Sequence, residues 1–167
     1  MRSPVLAALL LALLSACGGT SDPRALADEG AKALSSGRYE EAAGRYEKAL
    51  TALGSDTSSP EWKRVKLGLV QARIRLDAGR ARDEFLQFAS TSPGRVTDSD
   101  YNLIGSKFGD ALELEEAFAV LDAGMKAHPE SPHLKALRDE IGRKVEASGN
   151  ASLLKSIEGL GYVGGGD

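Results

Sequence analysis

Residues 23–56, PRALADEGAKALSSGRYEEAAGRYEKALTALGSD, are the stretch from which the rest of the chain can be read. Ala, Leu, Glu, Arg and Lys dominate it, all strong helix formers, and no period-2 run of β-branched residues suggests a strand. Gly37-Arg38 divides it into two helical runs. Within them Leu26, Gly30, Tyr39, Ala42, Tyr46 and Ala49 fall at helical spacing. Gly30 and Ala42 are small enough to let two backbones approach, and Tyr46 is large enough to fill the gap beside them. The expectation is a tight antiparallel helical hairpin.

The same offsets recur downstream. Trp62 to Arg95 carries Val65, Leu69, Ala72, Ala81, Phe85 and Phe88, then Pro93. Asp98 to Ser131 carries Tyr101, Gly105, Phe108, Ala117, Leu121 and Gly124, then Pro129. Gly105 is expected to face the partner helix of its own hairpin, as is Gly30. Ala81 and Ala117 repeat the role of Ala42, while Phe85 and Leu121 repeat that of Tyr46. Pro93 and Pro129 stand where a second helix must stop, and Gly79-Arg80 marks the expected turn inside the second hairpin. Unit starts lie 39 and then 36 residues apart, with the surplus placed in loops such as Gly54 to Pro60.

These segments resemble tetratricopeptide repeats, helix–turn–helix units of about 34 residues. The first unit matches closely. The second departs, with Leu69 where a small residue belongs and Ala78 where an aromatic one does. The resemblance implies an all-α solenoid of antiparallel helix hairpins, three repeats long, over residues 23–160. Pro132 opens a fourth hairpin, His133 to Ala147 and Ala151 to Leu160, with apolar stripes at Leu134, Leu137, Ile141 and Val145 and at Leu153, Leu154, Ile157 and Leu160. One apolar and one charged face suit a capping unit. Residues 161–167 read as a glycine-rich tail with Tyr162 and Val163 tucked on the cap. Its Leu-Gly-Tyr start is similar to the endings of some bacterial sulfatase-like and repeat-containing envelope proteins, without any sulfatase active-site motif.

Cys17 is the sole cysteine, so neither an internal disulfide nor a cysteine zinc cluster can form. It follows Met1-Arg2, an apolar run from Val5 to Leu14, and the small residues Ser15 and Ala16. The run fits a signal core and is too short to span a bilayer. The stretch is similar to a bacterial lipobox. That resemblance implies a lipoprotein signal peptide over residues 1–16, acylation of Cys17, a lipidated linker over residues 17–22, and a place in the cell envelope. Gly18 and Gly19 follow Cys17 without an aspartate, and in a Gram-negative cell resemblance to sorted lipoproteins then implies the outer membrane, facing the periplasm, more than the inner one.

The net charge is −3, and −4 once Arg2 leaves with the leader, which argues against nucleic acid as a ligand. Chemistry is hard to find. His128 and His133 are separated by two prolines and share no helix face, so no metal site is expected. Ser106 follows Gly105 directly and fails the nucleophile-elbow pattern. Glu40-Glu41 and Glu115-Glu116 read as solvated charge. Neither enzymatic activity nor a cofactor is expected, nor a small-molecule substrate.

The family resemblance further implies that certain first-helix positions line a concave groove. They are Arg24, Ala27, Ala31 and Leu34; Lys63, Lys66, Val70 and Arg73; Ser99, Asn102, Ser106 and Gly109. Lys63, Lys66 and Arg73 form a basic stripe suited to an acidic peptide, with an ordinary solvated helix face as the equal alternative. Ala27 and Ala31 replace the lysine and asparagine of chaperone-binding members. The function so implied is a lipid-anchored envelope adaptor holding a protein or peptide partner. The alternatives are a structural subunit of a larger envelope assembly, or a non-catalytic regulator of a cell-wall or secretion enzyme.

Overall fold

The computed structural model describes residues 22–164. Cys17, the leader and the last three glycine-tail residues lie outside them. The described residues form eight helices: α1 (Pro23–Ser35), α2 (Tyr39–Leu53), α3 (Pro60–Ile74), α4 (Ala78–Thr91), α5 (Asp98–Asp110), α6 (Leu114–Ala127), α7 (Pro132–Ser148) and α8 (Ala151–Glu158). They pair as α1–α2, α3–α4, α5–α6 and α7–α8, and each first helix packs on the next, α1 on α3, α3 on α5 and α5 on α7. The all-α stack of antiparallel hairpins expected from the sequence is the observed architecture.

Each first helix starts on a side-chain cap. Asp22, Ser59, Thr97 and Ser131 accept hydrogen bonds from backbone N–H groups of α1, α3, α5 and α7. Three of these caps are followed by a proline whose missing N–H costs nothing there. Thr97 and Asp100 complete a reciprocal capping box. Pro93 and Pro129 lie just past α4 and α6, as expected.

Large side chains entering glycine notches set the spacing between helices. A Cβ at Gly30 would stand 3.1 Å from the Tyr46 ring, and one at Gly68 would stand 2.5 Å from it. The ring is thus held between its own hairpin and the next unit. Gly124 receives Tyr101 in the same way. Gly105 departs from expectation: its closest neighbour is Leu137 of α7, with Val120 of its own hairpin farther away at 3.7 Å. In the second unit the notch is Gly68, one residue before the buried Leu69.

Helix α3 is buried on almost every side. Val65, Leu69 and Ala72 join the core of the first hairpin, whereas Leu67, Val70 and Ile74 join the larger core extending to α8. A helix that serves two cores keeps only a narrow polar stripe.

The turns also correct the sequence reading. Gly79-Arg80 lies in the first turn of α4, and the second hairpin turns instead through Arg75-Leu76-Asp77, with Asp77 capping α4. Gly37 turns the first hairpin with φ of 72°, and Arg38 N–H donates to the Ala33 carbonyl at 2.9 Å. Leu112 fills that left-handed place in the third hairpin with φ of 63°, and Glu113 N–H donates to Phe108 at 3.0 Å. After α8, Gly161 reverses the chain with φ of 87° and returns Tyr162 onto Gly142 of α7. The Tyr162 hydroxyl donates to Glu146 at 2.9 Å. Tyr162 is therefore tucked on the cap as expected, but Val163 is 86% exposed.

Gly68→Ala should destabilise the fold by about 1–3 kcal/mol, because the new methyl overlaps the Tyr46 ring. Gly44→Ala in α2, where a Cβ meets nothing within 4 Å, should stabilise by about 0.5–1 kcal/mol through helix propensity. Urea unfolding of the two variants should give opposite shifts in midpoint.

Candidate binding face

Helical periodicity divides α3 sharply. Its solvent-exposed strip carries Arg64, Gln71 and Arg75, whereas Lys66 and Arg73 point about half a turn away. Arg73 is nearly buried and reaches between α2 and α4, which do not pack closely on each other. It donates to Glu47 of α2 at 2.5 Å and to Glu84 of α4. Lys66 donates to the same Glu84 at 3.2 Å, and Arg80 donates to it at 2.9 Å. Burial alone would raise the Glu84 pKa. Hydrogen bonds from Arg73 and Arg80, together with the Lys66 charge, outweigh it and leave the carboxyl below its ordinary value.

Lys63 turns toward α5, donating to the Arg95 carbonyl at 2.8 Å and pairing with Asp100 at 2.5 Å. The three cations of the expected basic stripe are thus occupied by carboxylates of this chain. Val70 is fully buried, as is Ala27, and Gly109 is buried too, so none of them lines a surface. Arg24 and Ser99 are exposed, and Asn102 and Ser106 are half-buried on α5. The positions implied by the repeat resemblance fall on the right helix but at the wrong rotation. α3 starts two residues before Trp62, at Pro60, and carries its glycine notch at residue 68.

The open side of the first-helix layer has a different lining. Asp28 of α1 faces Arg64 of α3 at 3.7 Å. Further along, a hollow of about 250 Å³ crosses three units. Leu34 and Tyr39 line it from the first hairpin, Gln71, Ile74 and Arg75 from the second, and Lys107 and Asp110 from the third. Leu34 and the Tyr39 ring give it apolar surface above the buried Ile74, and polar groups surround them. Among the described residues no group of three or more His, Cys, Asp or Glu could hold a metal ion. His128 instead caps α6 and sets its ring edge against Tyr101, centroids 5.8 Å apart.

No family model matches the chain, and no curated protein matches it. A solved structure titled MamA MSR-1 C2 is similar at 14% identity, covering 83% of this chain and 96% of that one, with a TM-score of 0.32.

Glu84→Gln should destabilise by about 1–3 kcal/mol by leaving nearby cations without their shared carboxylate. The depressed pKa of Glu84 means its contribution is present above the unfolded carboxylate pKa and disappears as pH falls through the lower folded value. Stability measured from pH 7 down to pH 3 should therefore fall less steeply in Glu84→Gln than in the parent chain.

Proposed function

We propose that this chain is a lipid-anchored scaffold of the bacterial envelope that holds a protein or peptide partner on the open side of its first-helix layer. The observation that carries the reading is the hollow across three units, where the half-buried Leu34 and Tyr39 offer apolar surface above the buried Ile74, and Gln71, Arg75 and Lys107 offer hydrogen bonds. A few apolar anchors ringed by polar groups are the usual makeup of a peptide site. Arg24, Asn102 and Ser106 extend the proposed face. The basic stripe does not, since its cations already have internal partners.

Anchoring is proposed on the sequence around Cys17, where the lipobox resemblance supplies both signal and acylation site. No described helix is long and apolar enough to cross a membrane. Two or more acyl chains make attachment stable at about 0.8 kcal/mol per buried methylene.

Cys17→Ser should move the protein from the membrane pellet to the soluble envelope fraction. Tight membrane association of that variant with its leader removed would overturn the lipid anchor. Filling the hollow with Gln71→Trp should lower recovery of crosslinked partners from native membranes at least tenfold, while Lys48→Glu on exposed α2 surface should leave recovery unchanged. Equal recovery from both variants would exclude this face.

A further inference from the structure

Three of the four large hydrophobic side chains exposed among the described residues lie in the second and third hairpins. They are Leu76, 42% exposed; Leu103, 37%; and Leu112, 73%. Leu76 and Leu112 occupy the turns of successive hairpins, at the same edge as the hollow. Leu112 is also the only described non-glycine residue with positive φ. Gly37 fills the corresponding place in the first hairpin and Gly149 follows α7. Leucine there is strained by its Cβ, and its side chain is not recovered by burial.

The charges beside these leucines have opposite signs. Arg75 precedes Leu76 and Glu113 follows Leu112, and neither side chain has an ion-pair partner among the described residues. Nearby acids are engaged: Asp77 caps α4, and Asp110 pairs with Lys144 at 3.4 Å. Packed helices lie about 8–10 Å apart, so anchors on successive units match side chains two helical turns apart, about 10.5 Å.

We propose that this turn edge docks an amphipathic helix of a partner protein, its apolar side chains at Leu76 and Leu112, an acidic residue facing Arg75 and a basic one facing Glu113. The inference rests on the scaffold reading and assigns its partner class and contact point. The opposed charges favour a protein helix over an anionic lipid surface, which Glu113 would repel.

The test titrates the full chain, in mild detergent, into a labelled, amidated 20-residue helical peptide with leucines at i, i+3 and i+7, glutamate at one end and lysine at the other. Saturable binding is expected, at least tenfold weaker for Leu76→Ser and for Leu112→Gly. Leu112→Gly should at the same time raise the melting temperature by about 2–5 °C by releasing the left-handed strain, which separates lost contact from lost fold. Arg75→Glu should weaken binding, and exchanging the peptide's glutamate for lysine should restore it.

No saturable binding, or binding indifferent to Leu112→Gly, would overturn the proposal. So would self-association, or adsorption to phosphatidylglycerol vesicles, that is lost in the leucine variants. Photocrosslinkers placed at residues 71 and 112 in native membranes separate the two readings. Adducts from residue 71 alone defeat the turn edge and leave the scaffold standing; adducts from neither defeat both.

Discussion

The Tyr46 ring lies where two glycines make room for it, Gly30 in its own hairpin and Gly68 in the following one. One large side chain thereby sets two helix separations at once, within the first unit and across to the second. The arrangement recurs with different residues: Tyr101 against Gly124, Leu137 against Gly105 and Tyr162 against Gly142. Packed interiors tolerate little change in volume, so these fits specify which helix faces which. They also explain why the stack continues beyond the first hairpin: each notch needs an occupant, and at several junctions that occupant comes from another unit. The last notch is closed by Tyr162 of the C-terminal tail, turned back by Gly161.

α3 carries the consequence furthest. It is the wall between two hydrophobic clusters, and this leaves only a narrow strip, around Arg64, Gln71 and Arg75, open to solvent. Its remaining polar side chains had to find partners inside the protein. Arg73 did so by bridging Glu47 of α2 and Glu84 of α4. The charge that the repeat resemblance offered either to an acidic peptide or to solvent is bound up inside the fold. The proposed binding surface lies on the opposite side of the same helix, where apolar and polar groups from three hairpins meet around one hollow.

Much of the fold was legible in residues 23–56 and their echoes. The four hairpins, the long loop before Pro60, the stops before Pro93 and Pro129, and the burial of Ala42, Ala81, Ala117, Phe85 and Leu121 all follow from propensity, small-residue spacing and proline chemistry. The second unit was less legible. Its turn contains no glycine, and its notch is displaced by one residue to Gly68, so extending the first unit's register rotated α3 by about 100°, just over a quarter of a turn. A cap signal was present to correct it: Ser59-Pro60 repeats the Asp22-Pro23 start of α1 and marks the true beginning of α3.

The sequence by itself determined that helices form, roughly where they begin and end, and that they pair as consecutive hairpins, because those features depend on local propensity and on residues close along the chain. Only the tertiary structure decided which face of each helix remained open. That choice depends on notches filled from other units, such as Gly105 by Leu137, and on ion pairs across 18 to 37 residues, such as Lys66 with Glu84 and Lys63 with Asp100. A leucine held at positive φ was likewise invisible beforehand, since a turn's handedness is fixed by the hydrogen bonds that close the preceding helix and not by the residue that must tolerate it.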